Sequence, residues 1–449
     1  MIVRSRLFMT SAVAVFSVVA GIADAQIATG DARLQHETVR QYDGPPVSLR
    51  ALLDEALDTN PELAALRQQI AVTRQRPNQE HGLDPPTAEA TIWQWPVNTL
   101  NPANTNMYMF MLGQELPGRG KRLLRVAVAE RDVVLAETDV TIRARQIVNE
   151  IEQAYASLFI ARKAIDVHLS SVELLREIAD VSQTKYTTGR ISQQDVLKPV
   201  VELSKLHNDI ITFDEHANLA TARLNALLNR SPETPIGPLV EPAEETLVPA
   251  TADLQRLAIE HQPELQRARV ERERADAELA VAKREHKPDF MVQGGYLLMP
   301  NQTDAVLARV GITWPNAPWS RGKIDARIAE QTAAVDAAKA REIAMENRVR
   351  LAVQEAYVRA KSAQARAALL RTTILPQSRQ TLEVSRVAYQ TDRVDFQSVL
   401  DNERMLLDAQ LAYFRALSDF TRAVGDLERA VGTDLPIGTT MIVASKEGR

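Results

Sequence analysis

Arg119-Gly120-Lys121, inside LPGRGKRLLR, is the stretch of this chain that most suggests chemistry. A glycine turn closed by Gly-Lys ahead of a helix is how a phosphate-cradling loop begins. That loop also needs an earlier glycine and a hydroxyl directly after the lysine. Glu115 and Arg122 stand there instead. The stretch returns as Arg321-Gly322-Lys323 in PWSRGKIDAR, 202 positions after Arg119. A repeated motif of this kind reads as a joint between a strand and a helix, with glycine permitting the change of direction and the basic side chains at lipid headgroup level.

The other residues able to do chemistry are sparse. The 7 histidines form no H-E-x-x-H pair and no i, i+4 couple, so no metal-hydrolase site is expected. There is no cysteine, which excludes disulfides, thiolate catalysis, Cys-based metal sites and an acylated N-terminal cysteine. Neither G-x-S-x-G nor G-x-G-x-x-G occurs. Met107, Met109 and Met111 alternate along one stretch. Their shared face is either an apolar wall or a row of contacts for a soft metal on a copper or silver route. No enzyme, cofactor or covalent step is expected.

Arg4 and Arg6, the apolar run from Leu7 to Ile22, and Ala23-Asp24-Ala25 read as a secretory leader cut after Ala25. The run is short for a retained membrane helix. Cleavage moves the formal charge from −5 to −6, a mild acidity that gives no reason to expect nucleic acid. No later apolar stretch reaches spanning length. A mature chain that crosses a bilayer must therefore use strands in a closed barrel, because unpaired backbone groups in lipid are too costly.

The elements that would position these residues are written twice. Asn60-Pro61-Glu62-Leu63 returns as Gln262-Pro263-Glu264-Leu265, and Tyr155 as Tyr357. Past a one-residue insertion, Tyr186, Arg190, Val196 and Leu197 return as Tyr389, Arg393, Val399 and Leu400. The chain divides into leader 1–25, extended segment 26–47, first repeat 48–231, proline-rich connector 232–249, second repeat 250–438 and tail 439–449. Periodicity predicts helices over 49–74 and 252–284. A longer one runs from Lys121 to Tyr186 without proline or glycine, about 100 Å if continuous. Val126, Val133, Val140 and Ile147, then Ile151, Leu158, Ile165 and Val172, recur every seven positions, a coiled-coil seam. The matching second helix carries Glu342 as a break in its seam and Pro376 as an expected kink. Each rod turns, near Gly189 or Asp392, and returns through 192–228 or 395–431.

Two hairpins, 87–116 and 288–315, alternate apolar and polar residues over lengths suited to tilted barrel strands. All 4 tryptophans, Trp93, Trp95, Trp314 and Trp319, fall in or beside them, as an aromatic girdle would require. A soluble hairpin core is the alternative reading, and the export signal favours the membrane. Four strands leave two naked edges, untenable in lipid. Several copies must pool their strands into one barrel.

The leader, the twin halves, NPEL with QPEL, the turns YTTGRISQQDVL and YQTDRVDFQSVL, and ILPQSRQTLEVSRVAYQ together resemble the TolC family of outer-membrane efflux channels. LPGRGKR with GRISQQDVL is similar to the branch serving heavy-metal resistance-nodulation-division pumps. The resemblance implies long helices forming a periplasmic α-barrel, and two hairpins per protomer contributing to a twelve-stranded barrel of a homotrimer. It implies an outer-membrane site with most mass in the periplasm, a periplasmic adaptor and an inner-membrane RND-type pump as partners, and a passive exit duct. It also implies inward-pointing acidic residues at the far periplasmic turns. By position these fall on Asp401 and Ser398, where Ser398 departs from the pattern; Asp195 and Lys198 correspond in the first half. The alternative is that these aspartates only cap or solvate a turn. Tyr186, Gly189, Arg190, Tyr389 and Arg393 then brace the closed end or form a rim for the adaptor. A periplasmic adaptor, and more remotely a secreted enzyme on a helical scaffold, are the rival readings.

Overall fold

The computed structural model describes residues 42, 44–95, 97, 101, 104–242, 245–247, 250–300, 302–435 and 437–439. The leader, nearly all of the segment 26–47 and the tail beyond Thr439 lie outside them. In chain order the elements are α1 (Leu49–Thr59), α2 (Pro61–Thr73), α3 (Arg76–His81), β1 (Thr87–Trp93), β2 (Met107–Leu116), α4 (Lys121–Thr187), α5 (Gln193–Leu227), β3 (Glu245–Leu247), α6 (Thr251–His261), α7 (Pro263–Arg284), β4 (Phe290–Leu298), β5 (Ala305–Ile312), α8 (Arg321–Leu369), α9 (Leu375–Gln390), α10 (Phe396–Val431) and β6 (Ile437–Thr439). The chain is mostly helical, with one small antiparallel sheet carrying the hairpins. No helix among the described residues is long and apolar enough to cross a membrane.

Where one helix was expected over 49–74, there are two, and the same holds over 252–284. The break is chemical. Asn60 Oδ1 accepts the N–H of Glu62 at 2.9 Å, and Gln262 Oε1 accepts that of Glu264 at 3.0 Å. Each caps a new helix whose first residue is proline. The same amides reach across the fold: Asn60 Nδ2 donates to Leu227 O at 3.0 Å and Gln262 Nε2 to Arg429 O at 3.1 Å. One side chain thus starts a helix and ties down the last turn of a returning rod.

α4 runs unbroken for 67 residues. Ile147, Ile151, Leu158, Ile165 and Val172 from its heptad seams are buried against α5 and α10. In the second half the rod is interrupted by a π-helical turn at Leu370–Ile374, and Pro376 sits in the first turn of α9. The backbone stays helical on both sides of the π-helical turn, so the wider turn, not a free helix start, accommodates the N–H that Pro376 lacks. Glu342 does not disrupt its seam, because Arg272 Nε of α7 lies 2.8 Å away and Arg269 Nε 3.7 Å away. The connector is held by Arg162, whose guanidinium donates to Gly237 O at 2.6 Å and Ile236 O at 2.7 Å.

Midway along the rods, Glu152 of α4 is 6 % exposed and its Oε2 has no hydrogen-bond partner. It packs against Gly425 of α10, where a Cβ would collide with it. Burial, then repulsion from Glu428, Asp434 and Asp426, pushes its carboxyl up to about 8 against the pull of Arg145.

The larger sheet has the order β1-β2-β4-β5, antiparallel throughout, leaving β1 and β5 as free edges. Its register separates two faces. Ile92, Phe110, Leu112, Val292, Val310 and Ile312 share one, with Val306 81 % and Val310 74 % exposed. The opposite face carries Glu89, Thr91, Met109, Gln293 and Arg309, and along β2 and β4 its side chains are less exposed, as on the concave side of a curved sheet. β1 and β5 are 7 and 8 residues long, slightly short of the expected span.

Candidate functional site

At the end of the rods remote from the sheet, the two turns are built alike. After α4, Gly189 takes φ +71°, with Arg190 N–H donating to Lys185 O at 2.9 Å. After α9, Asp392 takes φ +57°, and Arg393 N–H donates to Ala388 O at 2.9 Å. A left-handed residue closes each helix, but the second half uses an aspartate where glycine is ordinary.

The aspartate gains its contacts from the first half. Lys185 Nζ lies 2.6 Å from Asp392 Oδ1, donates also to Tyr389 O, and sits 3.9 Å from the centre of the Tyr389 ring. Arg190 Nη1 lies 3.3 Å from Asp392 Oδ2. The hydrogen bond from Lys185, then the positive charge of Lys185 and Arg190, holds the Asp392 carboxyl below its usual range. Tyr389 is buried, with its hydroxyl 2.9 Å from Ser182 Oγ, whereas Tyr186 is 41 % exposed. The paired tyrosines therefore have unlike surroundings. Among the described residues, the side chains of Tyr186 and Arg393 make no hydrogen bond or ion pair.

The acidic residues expected at the turns do not stand as bare carboxylates. Asp195 accepts from Ser192 Oγ at 2.9 Å and pairs with Lys198 at 3.4 Å. Asp401 accepts from Gln397 at 2.9 Å, with Arg404 Nη1 at 3.8 Å. Ser398 turns back into the start of α10, its N–H and Oγ donating to the capping Asp395 at 2.9 and 2.6 Å. Between the returning rods, Arg404 forks onto Glu202 at 2.9 and 2.6 Å. Lys198 and Arg404 supply counter-charge to these carboxylates.

Lys185, Glu202 and Arg404 escaped sequence reasoning, and Asp392 was read only as the place of a turn. The available signal was a mismatch between the halves: at the repeat offset Lys185 faces Ala388, and Asp392 faces Gly189. Such a one-sided charge at matched positions marks a contact made between the halves.

At the strand–helix joint, Gly120 takes φ +88° immediately before α4. Lys121 is not at a headgroup level open to lipid but buried, with Nζ 2.8 Å from both oxygens of Asp289. Its ammonium is thereby neutralised internally, which also removes it as a phosphate ligand. Arg284 Nε donates to Arg119 O at 2.9 Å. Gly322 differs from Gly120: it lies within α8 at negative φ, and a Cβ there meets nothing. The turn into the second rod is made earlier, by Ser320, whose Oγ donates to Pro315 O at 2.9 Å. Arg321 pairs within the helix with Asp325 at 3.6 Å, and Lys323 is exposed.

The tryptophans occupy both ends of the hairpins. Trp93 and Trp95 stand at the tip of the first and are 51 % and 47 % exposed, while Trp314 and Trp319 meet edge-to-face at 6.2 Å beside the helices. Among the described residues no cluster of three or more His, Cys, Asp or Glu side chains could hold a metal ion.

Residues 52–230 match the family "Outer membrane efflux protein". The cobalt-zinc-cadmium resistance protein CzcC of Cupriavidus metallidurans is 24 % identical over 391 residues, 86 % of this chain and 89 % of that one. Among solved structures, the outer-membrane channel OprN aligns with TM-score 0.73 at 20 % identity, covering 86 % of this chain and 89 % of its own. The outer membrane protein VceC from Vibrio cholerae aligns with TM-score 0.72 at 18 % identity, covering 86 % of this chain and 96 % of its own.

Proposed function

We infer that this TolC-family outer-membrane efflux protein is the exit channel of a tripartite efflux system. The observation that carries the reading is the four-stranded sheet, with an apolar, exposed face and two unpaired edges, β1 and β5. A bilayer accepts such a face but not such edges. Identical copies joined edge to edge remove them, and three copies give the twelve-stranded barrel implied by the resemblance. Trp95 at one end of the hairpins and Trp314 with Trp319 at the other suit the two headgroup levels, while Trp93, paired with Met107, shares the opposite face. The rods then continue below the barrel as a periplasmic tunnel, with the two halves of each chain arising from one duplicated unit.

On this reading the tip is the constriction. Lys185, Arg190, Asp392 and Tyr389 brace it by joining the halves, and Asp401 and Asp195 set the charge that a passing ion meets. A periplasmic adaptor and an RND-type pump dock from below and supply the energy; conduction itself needs only a water-filled path. The likeness to a cobalt-zinc-cadmium resistance protein favours heavy-metal cations as cargo.

The test combines fractionation, light scattering in detergent and planar-bilayer recording. Expected are recovery in the outer membrane, a trimeric mass and discrete ionic currents. A monomer recovered in the soluble periplasmic extract overturns the reading.

A further inference from the structure

All four methionines of the main sheet lie on one face. Met107, Met109 and Met111 of β2 and Met291 of β4 share the parity of Glu89, Thr91 and Gln293, and the exposed apolar face has none. Apolar filling alone would place methionine on the lipid side at least as readily. A barrel lumen is ordinarily polar; here Leu297 and Leu307 share the face with Thr91, Gln293 and Arg309, and the thioethers are its one row of soft donors.

The register adds carboxylates to the sulfurs. Glu89 stands directly across from Met111, and Glu115 directly across from Met291. Directly opposed side chains have Cβ atoms about 4.5–5.5 Å apart. Met111 Sδ also occupies the space that a side chain at Gly295 would need, so a glycine on the adjacent strand makes room for the sulfur. Successive methionines on β2 are about 7 Å apart along the strand. Soft thioether sulfur selects soft cations, while a carboxylate draws cations without such selection.

We propose that the inner sheet face is a ladder of weak contact sites for a soft monovalent d10 cation, copper(I) or silver(I), formed by Met107, Met109, Met111 and Met291 with Glu89 and Glu115 as charge partners. The proposal rests on the channel reading, which makes this face the lumen wall. Weak sites in series allow a cation to enter and leave, which a single tight site would prevent.

Silver(I) nitrate is the probe, and the chain's lack of cysteine removes thiols as competing ligands. In planar bilayers with nitrate salts, silver(I) should reduce the potassium current of the wild-type channel. The silver concentration that halves the current should rise on the order of tenfold in the triple variant Met107→Leu/Met109→Leu/Met111→Leu. Its silver-free current should be unchanged, since leucine conserves volume. Equilibrium dialysis of the detergent-solubilised protein gives a second readout, with the triple variant retaining less silver(I). A wild-type channel that conducts yet ignores silver(I), or equal retention by both proteins, overturns the proposal. Absence of any current overturns the channel reading instead, while dialysis still tests the thioether sites.

Discussion

The ammonium of Lys185, at the end of the first long rod, lies 2.6 Å from the carboxylate of Asp392, the left-handed residue that closes the second. One ion pair therefore ties the two halves of the chain at their remote ends. Exchanging Lys185 for Met leaves Asp392 with Arg190 alone and removes the donor to Tyr389 O. Planar-bilayer conductance of Lys185→Met should exceed that of the parent, and an unchanged value would remove the bracing role.

The same pair should respond to acid. The Asp392 carboxyl is held below its usual range, chiefly by the hydrogen bond from Lys185. Its contribution is thus present above the unfolded carboxylate value, about 3.9, and is lost as pH falls through the lower folded value. Conductance that rises only below about pH 4, and shows no such step in Lys185→Met, is the expected record.

Glu152 works in the opposite sense. Its folded value of about 8 lies above that of an unfolded glutamate. Its contribution is fully present at pH below about 4.3 and is lost as pH rises toward 8, at up to about 1.4 kcal/mol per pH unit. Glu152→Gln keeps the shape and cannot ionise. Its Tm in detergent should exceed the parent's at pH 9 and fall less between pH 5 and 9; parallel curves would refute the burial argument.

The two joint glycines should not behave alike. Gly120→Ala places a Cβ 2.8 Å from Arg284 Nη2 at φ +88°, a left-handed position that costs about 1–2 kcal/mol for other residues. Gly322→Ala sits in open space within a helix and should be neutral or stabilising by up to about 1 kcal/mol. Thermal unfolding of both variants distinguishes them, and equal losses would contradict the geometry.

Asp401 is the most direct test of the tip's charge. Its side chain is 59 % exposed, with Arg404 as the neighbouring cation. Asp401→Ala should change single-channel conductance and weaken block by multivalent cations, whereas Arg404→Ala, which also frees Glu202, should strengthen that block. If neither variant moves the block, the tip carboxylates only cap and solvate their turns.

The heptad rows and the strand alternation were legible, because each is a local pattern with a fixed period. The split at Asn60 and Gln262 was hidden in the motif that revealed the repeat. NPEL and QPEL marked a correspondence between halves, but capping breaks a helix that apolar periodicity alone carries through. Gly322 misled in the other direction, since a matched tripeptide suggested a matched turn that its backbone does not make.

What the sequence determined by itself was the plan: long rods, short hairpins, and four strands too few to close a barrel, all set by residue type and spacing along the chain. The tertiary structure alone decided which charges meet. Lys121 finds Asp289, Lys185 finds Asp392 and Arg404 finds Glu202 across 168, 207 and 202 residues of chain. An ion pair depends on distance through space, and no period along a sequence encodes that distance.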